Sequence, residues 1–161
     1  MNKKIAIYLD VDGVLNQYDH HERIRRYKIH KKAKFSSKTD VFNPFQKKVL
    51  RLYKLIKKYN VDTYVFSAWT LKDLQLHVPF KLLGDTCKWA NQVNEISKNY
   101  SFNLLIDDEV SSFINREEKD YEKGRYKLNK NIITYQPHYN FGLVKKDFKN
   151  LERILNEFRI K

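Results

Sequence analysis

Two apolar runs in this chain of 161 residues end in paired aspartates. Residues 5–9 (IAIYL) lead into Asp10-Val11-Asp12, and residues 102–106 (FNLLI) lead into Asp107-Asp108. Carboxylates gathered at that density repel one another unless a cation or protonation relieves them. Hard oxygen donors favour Mg²⁺, which keeps some of its waters and binds through one or two carboxylates plus a substrate phosphate. A third run, residues 62–67 (DTYVFS), ends in the hydroxyl of Ser67. Gly13 directly follows the first acid pair, where the lack of a Cβ permits a tight turn and close backbone approach to a phosphate. Acids at strand ends are often plain loop residues, so either pair alone says little. The conjunction of three such ends carries the inference. An EF-hand does not fit, because Gly13 stands fourth from Asp10 where that loop needs glycine sixth, and His21 stands where it needs Glu.

Other reactive types lack partners in the pattern. His20 and His21 are adjacent, with no spaced carboxylate or cysteine to complete a metal site. His77 and His138 have no assigned role. Cys87 lies beside Lys88, which could lower its pKa, but no histidine is placed to activate a thiol. Trp69 and Trp89 can stack on a base or pack at the core edge, and packing is the expectation.

The elements that must position these residues alternate between strand and helix. Residues 5–9, 62–67, 102–106 and 131–135 read as strands, the first as a buried strand followed by a turn. Asn43 and Pro44 suit the start of a helix that places Phe45, Val49, Leu52, Tyr53 and Ile56 on one face. Thr70 and Asp73 resemble a capping box opening a short helix. Residues 77–85, with Pro79 and Gly84 as breakers, read as loop. A helix is expected over 88–99, a charged stretch that is helical only at first over 110–130, and a last amphipathic helix after Gly142. Residues 17–43 are a basic insertion with weak periodicity and one short helix around 22–29. Alternating strands and helices predict a parallel sheet with helices on both faces. In such a sheet, ligand sites lie beyond the carboxyl ends of the strands, where the acids stand.

Length suits a single domain over residues 1–161. One cysteine excludes an internal disulfide framework and fits a reducing compartment, most simply the cytoplasm. No apolar run approaches the roughly 20 residues that cross a bilayer, so no membrane partner is expected. Lysine plus arginine number 32 against 19 acids, for a net charge of +13. That balance suits an anionic partner such as a nucleotide or nucleic acid, while lysine-rich coding bias is the plain alternative.

The string Asp10-Val11-Asp12-Gly13-Val14-Leu15-Asn16 after an apolar strand resembles the first motif of the haloacid-dehalogenase-like superfamily. Ser67 after Tyr64-Val65-Phe66 resembles the second, and Leu105-Ile106-Asp107-Asp108-Glu109 the fourth. The third, a lysine at the start of the helix before the fourth-motif strand, matches Lys88, with Lys98 as the alternative. The likeness runs from Lys4 to the last helix, apart from 17–43 and parts of 110–130. Small domains of this superfamily found in RNA-repair proteins are closer still in Ser67-Ala68-Trp69, the Ile-Asp-Asp-Glu string and Gly142-Leu143.

The resemblance implies a three-layer Rossmann-like fold with minimal or no cap, since insertions at the position of 17–43 often cover the site and this one is short. It implies a Mg²⁺-dependent phosphohydrolase acting on a nucleotide or a nucleic-acid end. Asp10 would be the nucleophile and form an aspartyl-phosphate. Asp12 would be general acid and then base. Asp10, Asp107 and the Asp12 main-chain carbonyl would hold the metal, with Asp108 behind them or through water. Ser67, Lys88 and Gly13 would receive the phosphate. The alternatives are a phosphatase of small metabolites or phosphoproteins, and a nucleotide- or nucleic-acid-binding module that keeps the scaffold without turnover.

Overall fold

The computed structural model describes residues 4–15, 46–117, 119–138 and 142–160. The basic stretch 17–43 with its expected short helix, together with Asn16, Pro44 and Phe45, lies outside them.

Five strands form one all-parallel sheet: β1 (Ile5–Leu9), β2 (Val61–Val65), β3 (Leu82–Asp85), β4 (Phe102–Ile106) and β5 (Ile132–Tyr135). Their order is β3-β2-β1-β4-β5. Among the described residues the helices are α1 (Gln46–Tyr59), α2 (Leu71–Gln75), α3 (Ala90–Ser97), α4 (Val110–Ile114) and α5 (Lys145–Ile160), with a 3-10 turn at Asp120–Glu122.

Strands β1 and β4 are buried at every residue, as an inner parallel strand covered on both faces requires. Alternation divides β1 between two cores. Ile5, Ile7 and Leu9 join Val49 and Leu52 of α1 and Leu151 and Leu155 of α5. Ala6 and Tyr8 join Ala90 and Val93 of α3. Tyr8 is buried without penalty because its hydroxyl donates to Asn103 Oδ1 at 3.0 Å.

The chain lays β2 and β3 on one side of β1 and then β4 and β5 on the other. The winding therefore reverses between β1 and β4, and an open parallel sheet forms its ligand crevice at such a reversal.

Three expectations need correction. Residues 77–85 are not all loop, since Leu82–Asp85 forms the edge strand β3. Pro79 and Gly84 mask it, and an edge strand this short depends on the ladder offered by β2, which local composition does not reveal. Its register against β2 shifts between Thr63 and Val65. The second strand spans Val61–Val65 rather than 62–67, leaving Ser67 beyond its end. The third helix spans Ala90–Ser97 rather than 88–99, so Lys88 precedes it. The short helix does open as the capping pattern indicates, with Asp73 N–H donating to Thr70 Oγ1 at 3.1 Å.

Candidate functional site

Strand register delivers the acids. Leu9 stands opposite Val65 on one side and Ile106 on the other. The residues that follow Leu9 and Ile106, Asp10 and Asp107, must then emerge side by side. The ladder continues past the strand ends: Asp10 N–H donates to Ile106 O at 2.9 Å, and Phe66 N–H to Leu9 O at 2.9 Å. Asp107 N–H donates to Tyr135 O at 3.2 Å. Both aspartates are thus held by rigid backbone.

Carboxylate oxygens of Asp10, Asp107 and Asp108 lie within 4.8 Å of one another, and all three residues are buried. Burial and the neighbouring Asp107 push the Asp10 carboxyl up to about 7. Burial and Asp107 also raise Asp108, to about 6. Val11 N–H donates to Asp10 Oδ1 at 2.7 Å, and Glu109 N–H to Asp107 Oδ1 at 2.7 Å. Lys88 Nζ sits 2.9 Å from Asp10 Oδ2 and 3.4 Å from Asp107 Oδ2. Lys88 thus covers Asp10 Oδ2 as an ion pair. One ammonium faces three carboxylates. This set of hard oxygens can hold a divalent cation.

Burial works against the Lys88 ammonium, but Asp10 and Asp107 outweigh it and hold its pKa above the ordinary lysine value. A strained turn aims the side chain: Cys87 and Lys88 both have positive φ, 46° and 57°. The turn is pinned by Cys87 N–H to Asp85 Oδ1 at 2.8 Å and Trp89 N–H to Thr86 O at 2.7 Å. Lys98 lies at the far end of α3, exposed and paired with Glu95. Lys88 is therefore the lysine at the acids. Burial pushes the Cys87 thiol up and Asp85 adds to it, the reverse of the lowering expected from Lys88.

Gly13 has φ 76°, and a Cβ there would lie 2.1 Å from Asp108 Oδ2. The close approach that requires glycine is thus to the Asp108 carboxylate. The Asp12 carboxylate is not in the three-acid group; its Oδ2 accepts from Trp69 Nε1 at 3.1 Å. Trp69 is buried, as expected, but it also orients an acid. Ser67 is buried at the same edge and accepts from Trp69 N–H at 3.4 Å. Asp10, Asp12, Ser67, Lys88, Asp108 and Glu109 share the lining of one cavity of about 130 Å³.

Sequence reasoning missed the adjoining cavity of about 240 Å³, which shares Lys88 and Glu109 and adds Arg116, Arg125 and Tyr126. These lie in a charged stretch whose composition does not distinguish them from solvated residues. His77 packs edge-on to Trp69 with ring centroids 6.3 Å apart, and His20 and His21 lie outside the described residues.

No family model matches this chain, and neither a curated protein nor a solved structure is significantly similar to it. Among the described residues, no helix is long and apolar enough to cross a membrane.

Proposed function

We propose that this chain is a Mg²⁺-dependent phosphohydrolase of the haloacid-dehalogenase-like type, with a three-layer core and little or no cap, acting through an aspartyl-phosphate. The observation that carries this reading is the buried group of Asp10, Asp107 and Asp108 at one sheet edge, with Lys88 Nζ 2.9 Å from Asp10 Oδ2.

Asp10, Asp107 and Asp108 are the side chains that would hold Mg²⁺. When bound, the ion offsets carboxylate repulsion and keeps Asp10 ionised at neutral pH. The Asp10 carboxylate attacks phosphorus, forming an O–P bond as the bond to the leaving oxygen breaks. Asp12 gives that oxygen a proton. The Trp69 indole donates to Asp12 Oδ2 and fixes how the carboxyl group is turned. Asp12 then takes a proton from water, whose oxygen attacks phosphorus, and Asp10 leaves as carboxylate with inorganic phosphate released. Ser67 and Lys88 hold phosphoryl oxygens, where charge spreads in the transition state.

A polyanionic substrate, a nucleotide or nucleic-acid end, is favoured by charge. Helix α1 carries no acid in its 14 residues. A groove of about 350 Å³ between α1 and α5 is lined by Arg51, Lys54, Lys58, Lys145 and Lys149, with Glu152 as its carboxylate. Like charges at this spacing destabilise a helix unless an anion offsets them.

The test is phosphate release with Mg²⁺ from mononucleotides, 3′- and 5′-phosphorylated oligonucleotides and sugar phosphates. We expect turnover of at least one nucleotide class, and loss of at least about a thousandfold in Asp10→Asn. Activity surviving in Asp10→Asn, or absent on every phosphomonoester, rejects the mechanism. Turnover of sugar phosphates alone rejects the nucleotide assignment.

A further inference from the structure

The 240 Å³ cavity beside the acids is built rather than incidental. Two of its lining residues, Arg116 and Arg125, are anchored on Glu122, a buried carboxylate in the 3-10 turn. Glu122 Oε1 lies 3.5 Å from Arg125 Nη1 and 3.9 Å from Arg116 Nη2. It also accepts from the Tyr126 hydroxyl at 3.4 Å. The guanidiniums are further held by aromatic faces. Arg125 Cζ is 5.1 Å from the Trp89 ring centre and 5.4 Å from that of Tyr126, and Arg116 Cζ is 4.7 Å from Tyr126. Each ring adds a cation–π attraction and restricts where its guanidinium can go.

The backbone beneath Arg125 is equally tied. Ala90 N–H donates to Arg125 O and Asn91 N–H to Gly124 O, both at 2.8 Å, so the start of α3 clamps the loop. Two guanidiniums thus share one carboxylate. Arg125 Nε is buried with no hydrogen-bond partner. Lys88 lines both cavities, and Asp107, Glu109 and Ser112 complete the polar lining of this one. Pre-organised arginines facing a cavity are suited to phosphate, because their planar forks match its oxygens and little rotamer freedom is lost on binding.

Resting on the phosphohydrolase reading above, we propose that Arg116 and Arg125 bind a second phosphate of the substrate, next to the one that is cleaved. The substrate class is then a molecule with two phosphate groups on one nucleoside unit. It is either a nucleoside bisphosphate or a strand end whose neighbouring phosphodiester fills the same place. Lys88 bridges the two subsites: it serves the scissile phosphate at the acids and borders the cavity of the second.

The experiment compares kcat/KM with Mg²⁺ for p-nitrophenyl phosphate, a nucleoside 3′-monophosphate, a nucleoside 3′,5′-bisphosphate and a 3′-phosphorylated trinucleotide. Arg116→Ala is the main variant because its side chain is more than half exposed, and Arg125→Lys keeps the charge while losing the fork. Loss of a charged hydrogen bond predicts a fall of about 10- to 100-fold on the two-phosphate substrates, with p-nitrophenyl phosphate within about twofold. Preference for the bisphosphate names the free nucleotide as substrate; preference for the trinucleotide names the strand. An equal fall on all substrates, or none on the two-phosphate compounds, overturns the proposal. Calorimetric binding of the same nucleotides to Asp10→Asn, with and without Arg116→Ala, separates the two readings. A bisphosphate preference that needs Arg116 upholds the pocket even if wild-type protein releases no phosphate. Equal binding of mono- and bisphosphate refutes the pocket even if it does.

Discussion

Trp69 Nε1 donates to Asp12 Oδ2 at 3.1 Å, joining residues 57 apart in the chain. The indole is buried, so it holds the carboxylate in one orientation, and under the proposed mechanism Trp69 would position Asp12 for proton transfer. We predict that Trp69→Phe lowers kcat about tenfold, the cost of one hydrogen bond to a charged group. The fall should appear in kcat, and KM should change little. An unchanged kcat would show that the contact only packs the core.

At Gly13 the positive φ and the 2.1 Å approach of Asp108 act together. Gly13→Ala must shift the loop or drive Asp108 out of the acid cluster. We predict a loss of about 1–3 kcal/mol, or roughly 3–10 °C in Tm, accompanied by weaker Mg²⁺ binding. Wild-type stability and metal affinity in this variant would contradict the packing described.

In metal-free protein, folding raises the carboxyl of Asp10 to about 7 and of Asp108 to about 6. A group raised in the folded state contributes stability that is complete below its unfolded value, near 4, and lost as pH rises through its folded value. Metal-free Tm should therefore fall between about pH 4 and pH 7, and Asp10→Asn should flatten that fall. At pH 8, Mg²⁺ at a hundred times its Kd should restore about 2.7 kcal/mol. If the chelated protein keeps a flat Tm across this range and Mg²⁺ leaves it unmoved, the acids do not form a cation site.

The groove between α1 and α5 sets cations of both helices against Glu152, which is already paired with Lys58. If a strand's phosphates follow it, binding should weaken steeply with salt. The double variant Lys54→Glu with Lys149→Glu should reduce the log–log salt slope by about 1.4, two contacts at roughly 0.7 each for a single strand. Turnover of p-nitrophenyl phosphate should be unchanged. Anisotropy titrations of a labelled oligonucleotide that give the wild-type slope would exclude this groove as the track.

Local pattern determines much of this protein because it needs only neighbours in the chain. The apolar runs 5–9 and 102–106 become inner strands, and their terminal aspartates reach the same sheet edge, since a buried strand advertises itself by composition. Tertiary structure decides what depends on partners distant in sequence. Strand β3 exists only because β2 offers a ladder. Lys88 rather than Lys98 reaches Asp10 because a strained turn, invisible in residue type, aims it inward. Gly13 is matched to Asp108, and Arg116 and Arg125 are drawn together over Glu122, through contacts spanning strands and loops. Residue types and their spacing report what a segment can do; which oppositely charged or shape-matched group stands opposite is set by the order of the strands in the sheet and the loops that leave them.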